Sequence, residues 1–211
     1  MALDEAATGY PVSVTYHQTD KNQRFWAIPV LGIVAKLIIL IPHLIILYVL
    51  RALVQLVQLI LWIPVLFGGH YPLWGYALVG GTIRWTTRVS AFLLGLTDEY
   101  PPFTFRSANE DGRDFQVQVR MQIPPHHNRF WAVPLLGIAV KLLILIPHLI
   151  ILYVLSAVVS IVVLVLWIWV LFGGHYPAWG YQLVGGTIRW STRVLAYIDG
   201  LTDRYPPFSF E

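Results

Sequence analysis

Four arginines have the residue type and the spacing that anion binding requires. In two places a pair of arginines is separated by four positions: Arg84 and Arg88, then Arg189 and Arg193. This spacing places both members of a pair on one face of a helix, and a guanidinium binds phosphate oxygens in a bidentate manner. The pairs therefore predict contacts with lipid phosphate. Salt bridges to Asp98 or Asp203 within the protein are the alternative.

His43 and His148 each follow a proline inside a long apolar stretch. A histidine at membrane depth can be an axial ligand of haem or chlorophyll, a proton relay or a metal ligand. The pair could then bracket one cofactor between the two halves of the chain, although the sequence leaves the cofactor unknown. The alternative is a histidine at a helix start, near the membrane interface, that hydrogen-bonds to backbone or lipid.

Lys36 and Lys141 occur at equivalent places on otherwise apolar segments. A lysine on a shallow helix can extend its ammonium group to the membrane surface. The two lysines therefore predict either this snorkelling or, together with the arginine pairs, a contact with an anionic lipid.

The residue patterns of most enzyme classes are missing. The chain has no cysteine, and no nucleophile–histidine–carboxylate pattern is repeated. The glycine pairs at 80–81 and 185–186 lack the lysine and hydroxyl residue of a phosphate-binding loop. His70 and His175 lie in glycine turns with no carboxylate beside them in the sequence. We therefore expect no catalytic residue and no metal site. A lipid enzyme that depends on one of the two aspartates named above is the weakest alternative.

The composition is that of a protein in contact with lipid. Hydrophobic residues make up 57% of the 211 residues and charged residues 12%, whereas soluble domains average about 45–50% and about 25%. A mean hydropathy of +0.65 agrees with this. The formal net charge of only +3 argues against a nucleic-acid partner. The first residues, which are acidic and lack an apolar core, do not resemble a cleavable signal peptide.

Two copies of one unit make up the chain. Residues 24–105 align without a gap to residues 129–210, and about three-quarters of the paired positions are identical. We therefore divide the chain into a first membrane repeat, 1–105, and a second, 106–211, with a hydrophilic linker over 106–114. A repeat of about a hundred residues is a whole domain rather than a solenoid unit.

A few polar residues belong to the first copy alone. They are Arg51, Gln55 and Gln58, which the second copy replaces with Ser156, Ser160 and Val163. Polar groups on an apolar helix seek hydrogen-bond partners. These residues therefore mark a contact of the first copy with another protein or with the second copy.

Each copy is predicted to contain a short strand followed by helices. The alternating stretches Tyr10–Tyr16 and Phe115–Met121 indicate strands, which would pair with each other or with another protein. The 42 residues from Trp26 to Phe67, with few polar interruptions, are enough for two membrane helices, with a break before Pro42. The second copy predicts the same break before Pro147. Two amphipathic helices at the membrane interface are predicted to follow, over Leu73–Leu94 and Ala178–Asp199.

The repeat also predicts the arrangement in the membrane. Near-identical copies carry similar basic flanks and should therefore be oriented alike. Like orientation requires an even number of crossings per copy, so we expect about four passes; two strong spans with re-entrant arms are the alternative. The predicted fold is an all-α integral membrane protein. It has two parallel copies of a helical hairpin plus an interfacial amphipathic helix, each preceded by a short strand.

Four motifs occur in the same order in both halves: Ile-Pro-His-Leu-Ile, Phe-Gly-Gly-His-Tyr-Pro, Arg-Trp-(Thr/Ser)-Thr-Arg-Val and Leu-Thr-Asp-x-Tyr-Pro-Pro-Phe. In this combination they resemble a family of bacterial membrane proteins, the domain of unknown function numbered 4389. The resemblance covers both halves and implies a tandem of that domain, a membrane location and a prokaryotic origin. It implies no activity.

The sequence thus favours a non-enzymatic, multi-pass protein of the bacterial cytoplasmic membrane. We expect an accessory or scaffold subunit of a larger membrane complex, whose partners are the lipid bilayer and other membrane subunits or copies of itself. The alternative is an accessory protein that binds or transports a lipid or a hydrophobic cofactor. The low charge and the apolar helices of the chain are compatible with both roles.

Overall fold

The computed structural model describes residues 9–17, 22–28, 30–106 and 115–211. The linker predicted over 106–114 therefore lies, apart from Arg106, outside the described residues, as do the first eight residues. The described elements include the strands β1 (Val12–Tyr16) and β2 (Val117–Met121), and the helices α1 (Leu31–Gly68), α2 (Leu73–Leu93), α3 (Leu136–Gly173) and α4 (Ala178–Ile198). A short 3-10 helix precedes each long helix, at Arg24–Ala27 and at Arg129–Ala132. The prediction of a mostly helical chain with a short strand before each repeat is confirmed.

The predicted break at the prolines is wrong, because α1 and α3 are continuous helices of 38 residues each. Pro42 and Pro64 lie inside α1, and Pro147 lies inside α3. A proline removes one backbone hydrogen bond, whereas ending the helix would leave several backbone groups without a partner inside the helix. The hairpin of each copy is therefore formed by the long helix and the short helix that follows it, such as α1 and α2.

The short helices α2 and α4 form the centre of the protein. They pack against each other, each also packs against the long helix of its own copy, and most of their residues are buried. The prediction of amphipathic helices lying at the membrane interface is therefore corrected. Thr87 Oγ1 of α2 lies 3.1 Å from Thr192 Oγ1 of α4. These threonines are equivalent residues of the two copies, so a pseudo-twofold axis passes between them.

The two strands pair with each other, in antiparallel orientation, with Val14 opposite its own equivalent Val119. The same pseudo-twofold axis therefore passes through the strand pair. Each strand packs on the central helix of the other copy, β1 on α4 and β2 on α2. The copies are thus interlocked.

The two copies run in opposite directions, and the prediction of parallel copies is wrong. Lys36, near the start of α1, lies 5.8 Å from the ring of Trp167, near the end of α3. At the other end of α1, the carbonyl of Gly69 accepts a hydrogen bond from the backbone N–H of His127, just before α3. A twofold axis perpendicular to helices reverses their direction. The pairing of strands and central helices therefore decides the orientation, and the similar basic flanks do not.

The long helices α1 and α3 lie at the periphery and bury only a narrow stripe. Their remaining surface consists of large exposed apolar side chains, among them Tyr48, Leu56, Ile161 and Phe172. Both helices are long and apolar enough to cross a membrane. A helix of 38 residues is about 57 Å long, against about 30 Å for the hydrocarbon core. The structure therefore contains two candidate spans in the described residues, rather than four.

One glycine near the start of each long helix allows the helix to lie close to the backbone of the turn that precedes it. A Cβ at Gly32 would overlap the carbonyl oxygen of Trp26, and a Cβ at Gly137 would overlap that of Trp131. We expect Gly137→Ala to lower the free energy of unfolding by about 2–3 kcal/mol, because backbone cannot yield as a side chain does. Chemical denaturation in detergent measures this. Gly173→Ala is the matched control, since its Cβ would meet atoms no closer than 3.6 Å; equal losses in both variants would contradict the prediction.

Candidate functional site

The four arginines donate hydrogen bonds to carbonyl oxygens of the chain's own tails and strands. Arg84 Nη1 donates to Phe105 O (3.3 Å), and Arg189 Nη1 donates to the equivalent Phe210 O (3.2 Å). Arg189 Nε also donates to Val14 O of β1 (2.9 Å). Arg88 Nη2 donates to Arg106 O (2.9 Å) and Arg193 Nη1 to Ser209 O (3.2 Å). These contacts fasten the strands and tails to the central helices.

The repeated aspartates bind backbone rather than arginine in the contacts that the structure describes. Asp98 Oδ2 accepts from the backbone N–H of Gln23 at 2.7 Å, and Asp203 Oδ2 accepts from the backbone N–H of Asn128. Each aspartate thus fixes the segment that leads into a long helix. Contact of the arginine pairs with lipid phosphate stays a prediction.

His43 and His148 each lie in a box of aromatic rings from their own copy. Trp85 Nε1 donates to His43 Nδ1 at 2.8 Å, and Phe103 stacks on the imidazole with a centroid distance of 3.9 Å. Trp190 and Phe208 surround His148 in the same way. Both imidazoles are fully buried.

This arrangement decides the tautomer of both histidines. An indole N–H can only donate, so Nδ1 accepts, and the proton of the neutral imidazole lies on Nε2. A metal ion needs the lone pair that this proton occupies. The geometry therefore favours a structural hydrogen bond over the axial-ligand hypothesis for His43 and His148. Among the described residues, no group of three His, Asp or Glu side chains could hold a metal ion.

The lysines do not snorkel. Lys36 is 1% exposed and Lys141 is 4% exposed. Lys36 Nζ donates to Phe92 O (2.8 Å), and Lys141 Nζ donates to Tyr197 O (3.0 Å). Both acceptors are carbonyls in the last turn of a central helix, where the helix dipole favours a cation. Each ammonium thus caps the neighbouring helix and faces aromatic rings instead of the membrane surface.

The polar residues found only in the first copy meet the second copy. Both guanidinium Nη atoms of Arg51 contact the carboxylate of Asp199, at 3.1 Å for Nη2–Oδ1. Gln58 Nε2 donates to Asp199 Oδ1 at 3.0 Å. Asp199 is also one-sided, because its equivalent in the first copy is Leu94. Of the two contacts that the sequence left open, the structure thus shows the one with the second copy.

A cavity of about 340 Å³ adjoins this network, between the second half of α1 and the start of α3. Its polar lining includes Gln55, Gln58, His127, Lys141 and Asp199. Tyr71 also lines it and donates its hydroxyl to Asp199 O at 3.4 Å. Burial, and then the nearby charge of Asp199, raise the pKa of Tyr71, which therefore remains a hydrogen-bond donor. The cavity thus combines apolar walls with a few oriented polar groups, as ligand sites do.

Two residues of this site were missed in the sequence. His127 belongs to no motif that the sequence analysis identifies, yet it is buried and its Nδ1 lies 3.5 Å from Asp203 Oδ2. Asp199 was treated only as the end of a helix. Comparing the copies could have found Asp199, since an acid replaces a leucine there, whereas the pairing of His127 depends on the fold.

One known protein family matches both repeats. A family model described as "Domain of unknown function (DUF4389)" matches residues 31–104 and 136–209, more than half of the chain. Neither a curated protein nor a solved structure matches the chain. The matched segments contain the long helix, the short helix and the tail of each copy.

Proposed function

The chain belongs to the DUF4389 family in both of its halves, and from this premise we propose that it is a non-enzymatic protein of the bacterial cytoplasmic membrane. It would insert through α1 and α3 and serve as an accessory or scaffold subunit of a larger membrane assembly. The observation that supports this is the apolar surface of these two helices. In water such a surface would promote aggregation, whereas in a bilayer it is solvated by lipid or covered by another apolar helix.

The opposite directions of the copies make insertion testable with one matched pair of variants. His70 follows the end of α1 and His175 the end of α3, and both side chains are exposed. Because the chain has no cysteine, His70→Cys and His175→Cys each create a unique label site. If α1 and α3 cross the membrane, we expect a membrane-impermeant maleimide to label one variant in intact spheroplasts and the other only after permeabilisation.

Two controls complete this experiment. Ile45→Cys, on the exposed apolar face of α1, should resist the reagent until the protein is denatured. Gln122→Cys, on the exposed polar surface after β2, should react at least after permeabilisation. Labelling of both His variants from the same side would contradict crossing by these helices.

The scaffold role predicts partners in fixed proportion. After solubilisation in mild detergent, we expect an affinity-tagged chain to retain the same membrane proteins at constant stoichiometry in quantitative mass spectrometry. Ile45→Lys places a charge on the exposed face of α1, without touching the buried stripe, and should reduce that retention. A chain that purifies alone in lipid nanodiscs would contradict the scaffold role.

The cavity favours a second candidate function, the binding of a lipid or hydrophobic cofactor. Its rim is apolar and exposed, at Leu59, Leu135 and Ile138, so that a ligand in the bilayer could enter from the side. Retention of a hydrophobic small molecule by the purified protein, detected by native mass spectrometry, would support this candidate.

A further inference from the structure

The cavity lies where the other half of the protein holds an indole ring. Around Lys36 three rings face the ammonium: Trp26 at 5.9 Å, Phe92 at 4.8 Å and Trp167 at 5.8 Å. Around the equivalent Lys141, Trp131 lies at 5.7 Å and Tyr197 at 4.9 Å. The third place corresponds to Trp62, which here lines the cavity. The free space beside Lys141 therefore corresponds to the place that the indole ring of Trp167 occupies beside Lys36, and it is suited to a flat ring.

Two buried polar groups at this cavity have unused hydrogen-bonding capacity. Lys141 has three N–H donors and donates one to Tyr197 O. His127 is buried, and among the described residues its Nε2 has no hydrogen-bond partner. A buried polar atom without a partner costs free energy, which a ligand oxygen at that position would recover.

The charges of the lining select against an anionic ligand. Asp199 and Asp203 both line the cavity. Arg51 pairs with Asp199, His127 Nδ1 lies 3.5 Å from Asp203 Oδ2, and Lys141 lines the same cavity. A further carboxylate would face two carboxylates in a region of low dielectric constant. The lining therefore favours an uncharged ligand that offers acceptor oxygens.

We propose that this cavity binds the uncharged ring of a membrane quinone. A ring carbonyl accepts a hydrogen bond from Lys141, a second oxygen faces His127, and the apolar tail leaves past Leu59, Leu135 and Ile138 into the lipid. In the part of the chain that the structure describes, the site occurs in one half, because Trp167, only 5% exposed, fills the equivalent place in the other half. Only the source of the ligand, and not the site, depends on the membrane location proposed above.

The test uses the purified full-length chain in detergent, titrated with decylubiquinone by isothermal calorimetry. We expect saturable binding with one site per chain. The variant Arg51→Ser/Gln58→Val/Asp199→Leu introduces the residues of the other half and should weaken binding at least tenfold. Ser156→Ala/Ser160→Ala, at the equivalent place on α3, is the control and should bind as the wild type does.

A second variant separates loss of the site from loss of folding. Ile138→Trp fills the cavity from its rim without removing a polar group, and should also lose binding while its melting temperature stays near that of the wild type. Unchanged binding in both cavity variants, or tighter binding of palmitate than of decylubiquinone, would overturn the proposal. Absence of binding by a folded wild-type chain would overturn it too and would leave the labelling result, and hence the membrane location, unaffected.

Discussion

Trp167→Ala is expected to destabilise the protein by about 3–5 kcal/mol, the loss typical of a buried tryptophan truncated in a core. Trp167 is 5% exposed and packs in the cluster that also contains Leu96, Leu166 and Tyr176. Its removal leaves a void beside the Lys36 ammonium and takes away one of the rings that face it. Denaturant unfolding in a single detergent would measure the loss.

Trp62→Ala is the matched control, because Trp62 occupies in α1 the position that Trp167 occupies in α3. Trp62 borders the open cavity and is only partly buried, so its truncation removes fewer contacts. We expect a loss of about 1 kcal/mol there, on the scale of partial apolar burial. Equal losses at both tryptophans would show that the cavity is filled in solution, and would contradict the asymmetry that the structure shows.

Arg51→Leu is expected to have the second-largest effect. The Asp199 side chain is 1% exposed, and Arg51, at 37% exposure, supplies the cation that compensates it. A buried carboxylate without its cation costs about 3–5 kcal/mol, which we reduce to about 2–3 kcal/mol because Arg51 is partly exposed and Gln58 still donates. The measurement is the same unfolding titration at neutral pH.

A double substitution tests whether the unpaired charge is the cause. Arg51→Ser/Asp199→Leu reproduces the residues that the other half carries as Ser156 and Leu94, and removes both charges together. We expect it to be more stable than Arg51→Leu, because no buried charge remains unpaired. If the double variant were as unstable as the single one, packing of the Arg51 stem and not its charge would be responsible.

Much of the fold follows from patterns within one copy. The repeat, the strand before each copy and the long apolar helices are all visible in the sequence, because each depends on local periodicity and composition. The prediction of a break at Pro42 was wrong, because the one hydrogen bond that a proline removes is fewer than the several that the helix would lose by ending there. The prediction that Arg51 and Gln58 mark a special contact was informative, although only the fold identified Asp199 as their partner.

The partners of the arginines and lysines could not be predicted from the sequence. Their recurrence in both copies is plain, and their charge suggested phosphate, yet Arg84 binds a tail carbonyl and Lys36 caps a neighbouring helix. Both partners are backbone atoms, which have no signature in the residue types. A pattern of charges predicts that partners exist, but it does not say which atoms the fold will bring near.

The sequence by itself therefore determined two copies of one apolar helical unit, because duplication, hydrophobic periodicity and composition are properties of neighbouring residues. Only the tertiary structure decided that the copies run in opposite directions, since this depends on the pairing of Val14 with Val119 and of Thr87 with Thr192 across a twofold axis. It also decided that one half encloses an indole and the other a cavity. That difference arises from contacts between the two copies, which near-identical local sequences cannot specify.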